Sequence, residues 1–212
     1  MTQDRHVTLH FAPHSRASTI RLLLEELKAD YDLHIINLQK QEQYRPEYLA
    51  INPMGKVPAL QHGDALVTEQ GAIVLYLSDL YADRGLTPTI GDPQRGEFLR
   101  WLFFYGSCFE PAVMDRYLKH EPAPRGTSPY GSFELVMERL EERLSRGPYM
   151  LGERFTSLDI LWGAAFRWTV GFGLVPPTPN ISAYLERHNA RPLVVELAAK
   201  DAALAAEQNP PA

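Results

Sequence analysis

One change of texture, near residue 85, constrains the fold more than any other feature of this 212-residue chain. Before it, strand and helix patterns alternate. Val7-Thr8-Leu9-His10-Phe11 alternates apolar with polar residues and predicts a short strand. The segment from Pro13 to Ser18 turns the chain, and Ile20 to Leu27 carries helical spacing with one apolar face. Asp32 to Ile36 predicts a second strand. A short helix is expected around Pro46 to Ile51, since proline is well tolerated in a first helical turn. Val57-Pro58-Ala59-Leu60 and Ala65-Leu66-Val67 bracket His62-Gly63-Asp64 as a hairpin, and Glu69 to Tyr81 reads as a helix.

After that the strands stop. Asp83 to Pro93 has linker composition, and beyond it only helical patterns remain: about 94–119, 130–145, 157–170, 181–189 and 192–205. The final Asn209-Pro210-Pro211-Ala212 is expected to fray. An α/β half followed by an all-α half predicts two domains, residues 1–83 and 92–212, with a linker at about 84–91.

Composition narrows the function classes. Net charge is −5, against the basic stripe that a binder of nucleic-acid phosphates needs. No apolar run reaches bilayer length, and the N-terminus lacks the basic-then-apolar layout of a secretory signal. The single cysteine, Cys108, excludes an intrachain disulfide, a C-x-x-C redox pair and a cysteine zinc cluster. No nucleic acid, membrane or metal is expected, and a cytoplasmic setting is.

The most specific segment is Asn52-Pro53-Met54-Gly55-Lys56-Val57-Pro58-Ala59-Leu60. A proline just inside a strand start cannot donate to the ladder. It fits either a trans proline opening an edge strand or a cis Val57-Pro58 bond that turns the Val57 backbone outward to pair with an extended ligand. Glu69 and Gln70 open the helix after the hairpin, where free N–H groups favour a carboxylate and Glu69 could receive an ammonium group. The alternative is that Thr68 caps this helix and Glu69 merely complements its dipole. In the helical half, Phe155-Thr156-Ser157-Leu158-Asp159-Ile160 fits a capping box, with Thr156 at the N-cap and Asp159 at N3.

Taken in order, His14-Ser15-Arg16, Asn52 to Leu60, Glu69 to Leu77 and Phe155 to Ile160 resemble the cytosolic glutathione transferases, particularly bacterial members related to the theta and beta classes. The resemblance spans nearly the whole chain. It implies a thioredoxin-like N-terminal domain (βαβ-α-ββα), an all-α C-terminal helical bundle and a homodimer. It also implies glutathione as co-substrate, with no metal, and a small hydrophobic electrophile as second substrate. Residue by residue, Ser15 matches the serine or cysteine that faces the glutathione sulfur. Lys56 and Val57 match contacts to the cysteinyl and glycyl parts, and Glu69 and Gln70 match the pair that holds the γ-glutamyl end. Gln43, nine residues before Asn52, falls where related enzymes often carry a polar glutathione ligand. Gln70 stands where the family usually has serine or threonine, which implies either more reliance on backbone amides or weaker binding. Pro58, Thr156 and Asp159 match structural positions.

The chemistry implied needs a thiolate, because a thiol of ordinary pKa is only a few per cent ionised at neutral pH. A hydroxyl donor at Ser15 and first-turn amides would favour the ionised form. His14 and Ser18 compete with Ser15 for that place. The aromatic run Arg100 to Pro111 would face a cleft between the domains, although such a stripe suits a core or a dimer interface equally. Within it Tyr105 and Cys108, together with His14, are the candidates for lining the electrophile's pocket. The same thiolate could instead serve a glutathione-dependent peroxidase or reductase, a dehalogenase or an isomerase. A third reading is a non-catalytic relative that binds a protein partner.

Overall fold

The computed structural model describes residues 4–121 and 123–209. It separates into two compact units, one holding the chain up to Arg84 together with the stretch from Arg191 onward, the other Gly85–Ala190.

The first unit is built on four strands: β1 (Val7–Phe11), β2 (Tyr31–Ile35), β3 (Ala59–His62) and β4 (Ala65–Thr68). They lie in the order β2-β1-β3-β4, with β1 parallel to β2 and antiparallel to β3, and β3 antiparallel to β4. This is the mixed sheet expected of a thioredoxin-like domain. Helices α1 (Ala17–Leu27), α2 (Pro46–Leu49) and α3 (Gln70–Leu80) complete it. Leu9 and Phe11 of β1 meet Ile20, Leu23, Leu24 and Leu27 of α1 and Ile73, Val74 and Leu77 of α3 in a core closed to solvent. The alternation read in β1 therefore has both faces covered: His10, between those apolar residues, is also buried, 4.8 Å from His34 on β2. Its Nε2 pairs with Gln61 Oε1 at 2.8 Å, while burial pulls the imidazole below its ordinary pKa.

The second unit holds α4 (Arg95–Phe104), α5 (Glu110–Tyr117), α6 (Phe133–Leu144), α7 (Ser157–Gly171) and α8 (Pro179–Asn189). The one long helix expected over 94–119 is interrupted by a π-type turn, Tyr105–Phe109. Pro111 explains the break, since it cannot donate a helical hydrogen bond and settles in the first turn of a new helix. Pro179 likewise starts α8 two residues before the apolar periodicity does. The core is aromatic, with the Trp162 ring contacting Trp101, Tyr105, Phe109 and Phe166. The expected capping box opens α7. Met150 N–H and Tyr184 O–H donate to Asp159 Oδ1 at 2.7 and 2.8 Å, and Thr156 N–H and O–H donate to Oδ2 at 2.8 and 3.2 Å.

The last helix, α9 (Pro192–Gln208), was grouped with the other helices by the texture of the sequence, but it clusters with the first unit and packs on α1. The expected fraying concerned a tail of which Pro210, Pro211 and Ala212 lie outside the described residues. Asn209, just before them, accepts a hydrogen bond from Asn37 Nδ2 at 3.3 Å.

Candidate functional site

The register of the sheet brings the sequence-predicted residues of the N-terminal unit to one end of it. His10 pairs with Ala59 and Ala59 with Thr68. The exit of β1 toward Ser15, the entry to β3 after Val57-Pro58 and the exit of β4 into Glu69-Gln70 therefore share an edge of the sheet. Ile36 N–H donates to Phe11 O at 2.7 Å, so the loop carrying Gln43 leaves from the same end.

Ser15 lies half-buried in the turn before α1, after an exposed His14 held at φ 56°. Its hydroxyl donates to Ala12 O at 2.7 Å and its Oγ accepts the Ala17 N–H at 3.1 Å. A hydroxyl oxygen polarised by an amide is a stronger donor toward a third partner. Ser18, a rival for the sulfur, points its hydroxyl to Asp201 of α9 instead. Gln70 is buried and reaches back to this turn, its Nε2 donating to Arg16 O at 3.3 Å. The long Gln70 arm thus spans the gap between α3 and the Ser15 turn.

Glu69 is the N-cap of α3, displacing Thr68, and it stands exposed at φ 66°, ψ 122°. A non-glycine residue held at positive φ where a helix opens is the kind of strain that accompanies ligand sites. Sequence reading missed it, because nothing in the type of residue 69 announces its dihedral angles. The Val57-Pro58 bond is cis. Val57 N–H and C=O take no backbone partner among the described residues, whereas the neighbouring Lys56 C=O accepts from Tyr48 Oη at 2.6 Å and Asn52 Nδ2 at 2.8 Å. Lys56 itself is exposed. Gln43 is buried in a 3₁₀ turn, and its Oε1 has no hydrogen-bond partner among the described residues.

The residues expected to line an electrophile pocket fare differently. Tyr105 belongs to the aromatic core of the helical unit, 5% exposed, with its hydroxyl on Glu110 Oε1 at 2.8 Å. Its ring packs edge-on against Trp162 within that core. Cys108 is half-buried in the π-type turn, its Sγ 3.6 Å from Ser107 Oγ. His14 lies beside Ser15, as its sequence position requires. Among the described residues no helix is long and apolar enough to cross a membrane, and no group of three or more His, Cys, Asp or Glu side chains could hold a metal.

Residues 7–79 match the family described as glutathione S-transferase, N-terminal domain. The disulfide-bond oxidoreductase YfcG of Escherichia coli is 32% identical over 203 residues, which cover 88% of this chain and 91% of that protein. Glutathione S-transferase 2 of Schizosaccharomyces pombe is 30% identical over 165 residues, 71% and 72% of the two chains. Among solved structures, a glutathione transferase homologue from Sulfitobacter with bound glutathione superposes with a TM-score of 0.73 at 27% identity, covering 93% of this chain and 99% of the other.

Proposed function

We propose, for a chain that belongs to the glutathione S-transferase family, that it binds glutathione on its N-terminal unit and directs the thiolate at a small hydrophobic electrophile. The observation that carries the reading is the convergence of Ser15, Val57 and the Glu69-Gln70 pair at one end of the sheet, with Gln70 tied to the Ser15 turn. In this reading the Val57 amide and carbonyl pair with the peptide backbone of glutathione as an added strand would. Glu69 receives the γ-glutamyl ammonium, and first-turn amides of α3 receive its carboxylate. Gln43, whose buried Oε1 has no partner among the described residues, and Lys56 stand ready for the remaining polar groups. Ser15 turns its hydroxyl from Ala12 O to the sulfur and stabilises S⁻. Lowering a thiol pKa by about two units takes about 2.7 kcal/mol, within reach of a charge-assisted hydrogen bond and a helix dipole together. The thiolate then forms a bond to carbon while the leaving group, a halide for instance, departs with its electron pair. The enzyme works as a cytoplasmic homodimer in this reading.

A second reading is favoured by the similarity to YfcG. With one cysteine in the chain, reduction of a disulfide would take both electrons from glutathione, two molecules being oxidised to one glutathione disulfide. Two assays on the wild-type protein decide: conjugation of an aromatic halide, and glutathione-dependent reduction of a small disulfide. Transfer to the aromatic halide at the higher specificity constant is expected. Turnover of the disulfide alone would reverse the order of the readings, and failure to bind immobilised glutathione would remove both.

The γ-glutamyl assignment has its own check. Glu69→Ala should leave the ammonium group poorly paired and raise the glutathione dissociation constant about tenfold, or about 1.4 kcal/mol. Calorimetry showing unchanged or tighter binding contradicts the assignment.

A further inference from the structure

The first turn of α1 is not held by its own unit's sheet alone. Asp201, on the last helix and 4% exposed, accepts the Ser18 hydroxyl on one carboxylate oxygen and Arg21 Nη1 at 2.8 Å on the other. Ser18 lies one turn beyond Ser15, and its N–H donates to Ser15 O at 3.1 Å. Arg21, with a side chain only 12% exposed, also lies over the ring of Phe11, 5.4 Å from its centroid, at the exit of β1. One carboxylate therefore fixes both the start of α1 and a cation resting on the strand that leads into the Ser15 turn. The rest of α9 has its own anchors. Arg191 pairs with Glu26 at the far end of α1, and Asn37 Nδ2 donates to Gln208 O at 3.3 Å.

We propose that Asp201 is a positioning residue: it sets the first turn of α1 through Ser18 and Arg21, and thereby the aim of Ser15 and its neighbouring amides at the glutathione sulfur. The inference rests on the assignment of Ser15 above. It places part of the catalytic geometry under the control of a helix near the C-terminal end of the sequence, far from every motif of the N-terminal half.

Geometry and charge act here with opposite signs, which makes the idea testable. Removing an anion near the sulfur favours the thiolate, whereas loosening the Ser15 turn disfavours it. Asp201→Asn removes the charge but keeps an oxygen for Arg21 and an amide for the Ser18 hydroxyl. Asp201→Ala removes both. The readout is the pKa of glutathione bound to each variant, from thiolate absorbance against pH, with Ser15→Ala measured alongside. In Asp201→Ala it should lie above that in Asp201→Asn by about half a unit to one unit, a three- to tenfold loss of thiolate at a fixed pH below both. The glutathione dissociation constant should differ little between them. Equal values in the two variants overturn the proposal, whatever their melting temperatures.

If Asp201→Ala does not fold, Ser18→Ala serves in its place. It keeps the ion pair to Arg21 and should raise the bound thiol pKa above wild type, and a wild-type value overturns the proposal. Ser15→Ala separates the two levels of the account. A shift there without one at Asp201 removes only the positioning role. No shift at Ser15 removes the assignment of Ser15 and the role of Asp201 with it.

Discussion

Asp159→Ala should destabilise the protein by about 3 kcal/mol at neutral pH, well beyond the cost of about 1 kcal/mol for an ordinary lost helix cap. The excess follows from what the carboxylate holds. Met150 N–H, Thr156 N–H and Tyr184 O–H are buried, and all three donate to Asp159. Alanine leaves them without a partner, and each unsatisfied buried donor costs about 1–3 kcal/mol. One side chain thus ties the segment before α7, the start of α7 and the middle of α8. Soluble yield should fall more than glutathione affinity, since the affected contacts belong to the helical unit. An unchanged urea midpoint contradicts this account of the box.

The same carboxyl makes stability depend on pH. Burial lifts Asp159 to about 6, against the four donors that favour its ionised form. In the unfolded chain the group titrates near its ordinary value of about 3.9. The folded state therefore holds the proton more tightly, so the contribution is full at acid pH and is lost as pH rises through about 6, a fall of about 3 kcal/mol. Asp159→Asn cannot titrate and lacks this fall. The stability of the wild type relative to the Asn variant should decrease from pH 4 to pH 7 in urea titrations. A difference that grows over that range has the wrong sign.

How much of this was legible in the sequence depends on what each residue does locally. Alternation over Val7 to Phe11 and the helical spacing over Ile20 to Leu27 are local patterns, and both elements formed where they were read. The capping box was legible because its two residues lie three apart. Its further partners, Met150 and Tyr184, come from nine residues before and twenty-five after, and no local pattern names them. The proline rule was used only in part. Pro46 was read as a helix start, but Pro111 was not, because the apolar periodicity on both sides of it masks the break, and Pro179 was not, because the apolar periodicity begins only at Ile181. The last helix shows the limit most clearly. Its repeating alanines resemble those of any helix, and it is pairs distant in sequence, Ser18 and Arg21 with Asp201 and Glu26 with Arg191, that reveal its packing on α1. At the site, Ser15, Val57 and Glu69-Gln70 could be matched to motifs. The strained dihedral angles of Glu69 and the reach of Gln70 to Arg16 are properties of the fold.

Ser15→Ala is the other substitution with a large expected effect. Losing the main donor to a thiolate costs on the order of 10²–10³ in rate, and the loss should appear in kcat more than in KM for glutathione. Affinity should be largely kept, because Val57, Lys56 and Glu69 are untouched. Ser15 Oγ also accepts the Ala17 N–H, so the variant should lose about 1 kcal/mol of stability as a lost cap does. Assay temperatures must stay below the shifted transition. Ser15→Cys is the informative companion: it should form a mixed disulfide with glutathione disulfide and move the protein toward thiol exchange.

The central claim is that the Ser15 hydroxyl, freed from Ala12 O, holds the sulfur of bound glutathione as a thiolate. The direct measurement is thiolate absorbance of the bound glutathione against pH, for wild type and for Ser15→Ala at saturating glutathione. The wild-type midpoint should lie about two units below that of free glutathione, and the Ser15→Ala midpoint should return most of the way to it. Superimposable curves for the two proteins would contradict the claim.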